Sequence, residues 1–156
     1  MTQFDQLVID LCRLIGYPTP QHLIAGDAVC YEGMNFALAS NAESEPDAVL
    51  LIADFGSLDI EKKAMLYPLM LKENFMMRGL RNCTFGVCES SDSVVLIDCL
   101  SLATTTPDAL QARMRSLAHK TNYFNKQHRR LHPAAYRSNT AQSAALRSHY
   151  HASCTV

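Results

Sequence analysis

Apolar residues in the middle of the chain, over residues 60–80 (IEKKAMLYPLMLKENFMMRGL), do not keep to one helical stripe. An ordinary surface helix has a single apolar stripe, whereas this stretch has apolar residues on two sides. Pro68 fits best in the first turn of a helix, where its missing N–H would be unpaired in any case. The pattern therefore predicts a helix with its core at residues 68–78, ended by Gly79, that needs two covering surfaces. We expect one to be the sheet of the same chain and the other to be a second copy of the chain.

A first amphipathic helix is predicted over residues 2–15, because apolar residues recur there at helical spacing. Thr2 and Asp5 form a weak version of a capping box at its start, with Asp in place of the usual Glu. Gly16, which is followed by two nearby prolines, ends it. Its apolar positions are Phe4, Leu7, Val8, Leu11, Leu14 and Ile15.

Five strands are predicted from apolar alternation and from β-branched residues. They cover residues 28–31, 34–40, 48–55, 83–88 and 93–102. Glu32-Gly33 suits a two-residue hairpin turn between the first two strands, and residues 89–92 link the last two. The third strand is almost continuously apolar, as expected at the centre of a sheet.

A last helix is predicted to start at Thr106-Pro107-Asp108, which supplies an N-cap, a first-turn proline and an acid near the positive end of the helix dipole. The order helix, three strands, helix, two strands, helix predicts an α+β domain over residues 1–131, with helices packed on a twisted antiparallel sheet. Residues 132–156 have few large apolar groups and are expected to form a flexible basic tail. The buried seam of the last helix is predicted to be Leu110, Met114, Leu117, Thr121, Phe124 and Leu131.

Length and composition exclude several classes of protein. At 156 residues, the chain is expected to be one domain whose core needs neither a metal ion nor a disulfide. It contains no apolar run long enough to span a membrane and no basic start of a signal peptide, so we expect a soluble, intracellular protein. The six cysteines include no C-x-x-C pair and are expected to be small buried side chains in a reducing cytoplasm.

The charge is divided unevenly along the chain. Residues 1–112 contain 6 Lys+Arg and 15 Asp+Glu, a net −9, whereas residues 113–156 contain 8 Lys+Arg and no acid, a net +8. The two parts would attract each other or different partners. Basic residues interleaved with tyrosines also fit nucleic-acid binding, although a solvated helix face that runs into a disordered end is commoner. Docking onto an acidic protein surface fits the charge equally well. The basic residues are Arg113, Arg115, Lys120, Lys126, Arg129, Arg130, Arg137 and Arg147.

Candidate chemistry is sparse, and the sequence predicts no catalytic residue, no metal ion and no cofactor. Cys30 or Cys88 with a distant histidine would form a thiol dyad, but no local motif supports one and a core cysteine is commoner. Asp98, flanked by apolar strand residues, is a candidate for a perturbed carboxylate, although such a residue more often faces solvent or caps a neighbour. Three side chains of the tail have the spacing of a metal clip, without a second motif beside them. They are His149, His151 and Cys154.

The order of elements and two local stretches resemble the class I type III secretion chaperones, the Tir-chaperone family of Gram-negative bacteria. Residues 69–77 (LMLKENFMM) are similar to the Leu-Leu-x-x-Asn-aromatic pattern of that family's second helix. An apolar strand followed by TPDAL at residues 106–110 is similar to the opening of its third helix, and the first helix ending in LIGYP also fits. The resemblance covers residues 4–131. The basic tail departs from the acidic character that is usual in the family.

The resemblance implies a homodimeric α+β chaperone of the bacterial cytoplasm without enzymatic activity. Such a chaperone holds the N-proximal segment of secreted effector proteins extended and delivers it to the secretion ATPase. The basic tail fits a broad-range member that also contacts the export machinery. Because ordering a disordered segment costs entropy, its capture requires exposed apolar patches and a strand edge.

These requirements predict two sets of residues. We expect the effector to bind the first helix and the second strand, at Leu7, Leu11, Leu14, Met34, Phe36 and Leu38. We expect the dimer interface on the central helix, at Leu66, Leu69, Met70, Glu73, Phe75, Met76 and Met77.

Two other classes of function stay open. The first is a nucleic-acid-binding or regulatory adaptor module that acts through the basic C-terminal segment, which we regard as the less favoured reading. The second is an enzyme, which only the scattered Cys and His residues support.

Overall fold

Nine helices and strands make up the described part of the chain, and they confirm the predicted α+β class. The structure is a computed structural model that describes residues 1–40, 47–57, 59–77, 83–89 and 91–127, with the backbone alone at 61, 77 and 120–127. The predicted tail at 132–156 therefore lies outside the described residues and stays a prediction. In chain order the elements are α1 (Gln3–Ile15), α2 (Pro20–Ile24), β1 (Val29–Tyr31), β2 (Met34–Ser40), β3 (Ala48–Ser57), α3 (Ile60–Met77), β4 (Cys83–Cys88), β5 (Ser93–Ser101) and α4 (Pro107–Gln127).

The five strands form one antiparallel sheet in the order β1-β2-β3-β5-β4. The almost continuously apolar β3 is its central strand, as predicted, with Leu51 opposite Leu38 on one side and opposite Asp98 on the other. Since β5 lies between β3 and β4, the connection from β3 through α3 to β4 crosses over one strand. This crossover leaves β1 and β4 at the two edges of the sheet.

The turn between β1 and β2 is the one that the sequence predicts. Tyr31 pairs with Met34, so Glu32 and Gly33 form a two-residue loop, with φ of 49° and 78°. Positive φ at both central positions is the geometry of a type I′ turn, whose twist matches that of the flanking strands. Register in this hairpin is therefore determined locally.

Helix α1 is capped at both ends and buries one apolar face. The Thr2 hydroxyl accepts from the Asp5 N–H at 3.1 Å, and the Asp5 carboxylate accepts from the Thr2 N–H at 2.8 Å, which confirms the capping box. Gly16 ends the helix in the left-handed conformation, with φ of 73°. The buried face is Phe4, Leu7, Val8, Leu11 and Cys12, so the stripe turns toward Cys12 and leaves Leu14 43% exposed.

The main core lies between one face of the sheet and helices α1, α2 and α4. Alternate residues of β2, β3 and β5 point into it, and α4 contributes the buried residues Leu110, Met114 and Leu117 of its predicted seam. Thr121, Phe124 and Leu131, the other members of that seam, have side chains outside the described part. The largest fully buried side chains of this core are Phe36, Leu11, Leu23, Leu38, Leu51, Leu110 and Met114.

Two elements differ from the sequence prediction. The sequence predicts no helix at α2, because Pro20 is one of the two prolines that follow the end of the first helix, whereas Pro20 lies in the first turn of this short helix. Helix α3 starts at Ile60, so the prediction that Pro68 opens it is wrong. Pro68 and Ala64 are both exposed. Since proline has no N–H, the Ala64 carbonyl lacks its usual helical donor, and at this exposed position it can bond to water instead. Gly79, the predicted end of the helix, lies outside the described residues.

A buried polar cluster ties β4, β5 and α4 together. Asp98 is 2% exposed and forms an ion pair with the Arg113 guanidinium of α4. The Cys83 thiol, opposite Asp98 in the sheet, donates to its carboxylate at 3.0 Å and accepts from Arg113 at 2.9 Å. Burial first, and then the hydrogen bond to Asp98, raise the pKa of the Cys83 thiol. Asp98 is therefore a structural ion-pair residue that fixes α4 on the sheet.

Leu11 and Leu14 on the same helix are a matched pair for testing the core. We expect Leu11→Ala to lower the free energy of unfolding by about 2–5 kcal/mol, because it leaves a cavity in a fully buried site. Leu14→Ala should cost less than about 1 kcal/mol, because that side chain is already partly in water. Urea unfolding at one protein concentration measures both, and equal losses would contradict the assigned core.

The buried ion pair of Asp98 with Arg113 also leads to a prediction for the free energy of unfolding. Asp98→Leu should lower the free energy of unfolding by on the order of 3 kcal/mol, because it leaves the Arg113 charge half-buried without its partner. The figure is at the low end for a buried pair, since 23% of the Arg113 side chain is exposed.

Removing both charges with Asp98→Leu and Arg113→Met should restore most of that loss. Arg115→Ala, which breaks an exposed ion pair of the same helix, is the control and should leave the stability almost unchanged. A double variant as unstable as Asp98→Leu alone would show that the isolated charge is not the cause.

Candidate functional site

The outward face of α3 is the largest apolar feature that the described residues expose. Six of its large apolar side chains are between 46% and 81% exposed, and Lys72 and Glu73 are the charged side chains beside them. At 100° per residue they form two apolar stripes on the exposed side of the helix, with Pro68 and Lys72 on the line between them. Contiguous exposed apolar patches of this kind mark interaction surfaces. The side chains are Ile60, Met65, Leu69, Leu71, Phe75 and Met76.

The inward face of α3 holds the helix against one end of the sheet. Leu66 is buried against Val94, next to Phe55 and Phe85, whose rings are 5.9 Å apart. Lys63 adds an ion pair to Asp92 in the turn between β4 and β5. The helix is therefore apolar on two sides, as the sequence predicts, and the sheet covers one of them.

The predicted dimer residues divide between these two faces. Leu69, Glu73, Phe75 and Met76 are exposed, whereas Met70 is half-buried beside the sheet. Leu66 belongs to the core of the chain itself, which corrects its assignment to the interface, because its position on the helix turns it toward Val94. The side chain of Met77 lies outside the described part.

Asn74 on the inward face of α3 makes a bidentate contact with the edge strand β4. Its side-chain oxygen accepts from the Phe85 N–H at 2.7 Å, and its amide nitrogen donates to the Phe85 carbonyl at 2.9 Å. In the sequence, Asn74 belongs to the family-like LMLKENFMM stretch, which assigns it no role. No local signal could have revealed this role, since its partner is eleven residues away on another element.

The predicted effector-binding residues are mostly in the core. Five of the six are at most 6% exposed, which corrects the expectation that they form an exposed apolar patch. Apolar residues at helical or strand spacing line a core and a groove equally, so the pattern could not separate the two. Leu14 is the exception, with Ile15 and Tyr17 half-buried after it. The five buried residues are Leu7, Leu11, Met34, Phe36 and Leu38.

Basic residues at the start of α4 are engaged with the acidic body. Arg115 donates to the Glu32 carboxylate at 2.8 Å and to the Tyr31 hydroxyl at 2.9 Å, while Arg113 pairs with Asp98. His119 lies 3.3 Å from the same Glu32 carboxylate. Both basic residues of the C-terminal segment whose side chains the structure describes, Arg113 and Arg115, thus have acidic partners within the chain.

The candidate chemical residues form no reactive arrangement that the structure describes. Cys88 is buried in an apolar cluster with Ile52 and Val95 on the second face of the sheet, and Cys30 is exposed on the edge strand β1. Within the described ranges, no three His, Cys, Asp or Glu side chains come close enough together to hold a metal ion. The proposed metal clip at 149–154 lies outside these ranges. Among the described residues, no helix has the length and apolarity needed to cross a membrane.

Comparison with known proteins gives matches in structure only. No protein-family model matches the sequence, and no curated protein matches it. The complex of ExsC with ExsE contains a chain with a TM-score of 0.62 and 19% identity, over 86% of this chain and 96% of that one.

Two further complexes are also similar. The Yersinia pestis type III secretion chaperone SycH, in complex with a fragment of YscM2, has a TM-score of 0.56 and 19% identity, over 78% of this chain and 98% of its own. The HopA1–SchA chaperone-effector complex has a TM-score of 0.56 and 14% identity, over 80% and 94%. At these identities the likeness concerns the fold. The chain therefore has the α+β fold of the type III secretion chaperones.

Proposed function

We propose that the protein is a homodimeric chaperone of type III secretion, which binds the N-proximal segment of effector proteins in the bacterial cytoplasm. It keeps that segment extended and delivers it to the export apparatus, whose ATPase is the expected receiver. The observation that carries the proposal is the exposed apolar face of α3 on a fold shared with chaperones solved in complex with their partners. No enzymatic step is part of this function.

The proposed dimer rests on the two apolar faces of α3. Burying six large apolar side chains against a second copy would stabilise the pair, at roughly 25 cal/mol for each Å² removed from water. A two-fold symmetric interface uses the same surface on both subunits, so a helix face that is apolar along its length suits it. Lys72 and Glu73 would lie near this interface, where each can meet the opposite charge of the other subunit.

The proposed effector contact rests on the exposed end of α1. Leu14 offers an apolar side chain beside the half-buried Ile15 and Tyr17, at the point where Gly16 ends the helix. An extended segment without a core of its own gains from shallow apolar contacts of this kind. Leu14 is thus the one member of the predicted set that needs no opening of the core.

Leu69→Asp tests the dimer. In the wild-type protein we expect a particle of twice the 17.3 kDa chain mass in sedimentation at micromolar concentration. The substitution should weaken the dimer at least about 100-fold, because a carboxylate would be buried in an apolar interface. Leu14→Asp is the control and should leave the mass unchanged. A wild-type monomer, or a Leu69→Asp dimer of unchanged affinity, would contradict the proposed interface.

Leu14→Asp tests the effector contact. Tagged protein expressed in its native bacterium should recover secreted proteins whose bound N-proximal segment stays sensitive to proteases, as an extended chain is. The substitution should reduce that recovery at least about fivefold, on the order of 1 kcal/mol, with an unchanged circular dichroism spectrum. Equal recovery by the wild-type and variant proteins would remove Leu14 from the site. Failure to recover any secreted protein would contradict the function.

A further inference from the structure

The edge strand β4 has one pair of backbone groups that a helix side chain occupies. Phe85 lies opposite Leu96 in the sheet, yet its N–H and carbonyl are bonded to the Asn74 amide, at 2.7 and 2.9 Å. Both groups therefore face away from β5, toward the side where a sixth strand would add. A side-chain amide presents an N–H donor and a carbonyl acceptor side by side, as a peptide group does, so Asn74 takes the place of a neighbouring strand.

An unprotected β4 would be an obvious site of strand addition. Edge strands present free N–H and carbonyl groups, and proteins shorten, charge or cover them to prevent pairing between copies. The opposite edge, β1, is protected by its length of three residues, whereas β4 has six residues and carries Val87, an apolar side chain that is 43% exposed. Without a group that occupies its backbone, β4 would therefore pair with another strand more readily than β1 would.

Asn74 also determines which side of α3 faces solvent. It lies on the same side of the helix as Leu66 and Met70, which pack beside the sheet, at spacings of four residues. Since the bidentate contact permits little rotation, Phe75 and Met76, the next two residues, remain turned outward. The Asn74 side chain thus occupies the edge of the sheet at β4 and keeps the apolar face of α3 exposed.

We propose that Asn74 is a positioning residue that restricts how copies of this chain associate. By occupying the Phe85 backbone groups it prevents β4 from pairing with the β4 of a second copy, and it leaves the outward face of α3 as the association surface. The blocking of the edge stands on the hydrogen bonds alone, whereas the choice of the α3 face rests on the proposed function.

Asn74→Leu tests this assignment, because leucine has nearly the shape of asparagine and lacks both polar groups. We expect exchange of the Phe85 amide hydrogen, followed by NMR, to become about tenfold faster, since a hydrogen bond is lost. We also expect species larger than the wild-type particle in sedimentation, whatever that particle is. Asn74→Asp keeps the acceptor for the Phe85 N–H and adds a charge at the edge, so it should stay at the wild-type mass with slow exchange.

Two further variants separate edge blocking from other effects. Ser116→Leu adds the same apolar side chain to an exposed position of α4 without touching β4 or α3, and should produce no larger species. Val87→Lys in the Asn74→Leu background should remove the larger species, because a lysine on an edge strand opposes pairing. If Asn74→Leu loses its native circular dichroism spectrum, Asn74→Ala provides the same two measurements.

The proposal is overturned if Asn74→Leu and Asn74→Ala keep the wild-type mass, or if the Phe85 amide remains as protected as before. It is also overturned if Ser116→Leu forms the same larger species. A monomeric wild-type protein would contradict the proposed dimer instead, and growth of Asn74→Leu beyond a monomer would still support the blocked edge. The two proposals can therefore fail separately.

Discussion

Helix α3 has more apolar surface than its own sheet can cover, and the organisation of the chain follows from that mismatch. A helix buries one side against a sheet, here through Leu66 beside Val94, and the other side then needs water-compatible residues or a partner. The outward side instead carries large apolar groups such as Leu71, Phe75 and Met76. The proposed association through α3 would cover these groups without any rearrangement of the fold.

Helix α3 also covers the edge strand β4, and it is held there by both apolar and polar contacts. Hydrophobic packing of Leu66 is non-directional and would tolerate some rotation of α3. The hydrogen bonds of Asn74 to Phe85 and the ion pair of Lys63 with Asp92 are directional, and they select one rotation. The apolar contact thus stabilises the attachment, while the polar contacts make it specific.

Part of the basic charge of the C-terminal segment pairs with acidic residues of the same chain. Arg113 neutralises the buried Asp98, and Arg115 bridges from α4 to the turn at Glu32. Breaking the first pair is costly because it would leave one buried charge without its partner, whereas the exposed second pair contributes little stability. These contacts favour attraction between the two parts of the chain over recruitment of nucleic acid at the start of α4. They also explain why an acid lies among apolar residues of β5.

Most of the fold could be predicted because its signals are local. The capping box of α1, the Glu32-Gly33 turn, the N-cap at Thr106 and the apolar run of β3 each depend on residues a few positions apart, and each is present. The start of α3 was missed, since Pro68 is tolerated inside a helix when its turn faces water. That exposure depends on where the helix lies on the sheet, which no local pattern records.

The site was predicted less well, and for one physical reason. Sequence alone determined that α3 would be apolar on two sides and that the first helix and second strand would each have an apolar face. Only tertiary structure decided that Phe36 is covered, that Leu14 and Phe75 are not, and that Asn74 meets Phe85. Periodicity states which side chains share a face, whereas exposure depends on what the rest of the chain places against that face.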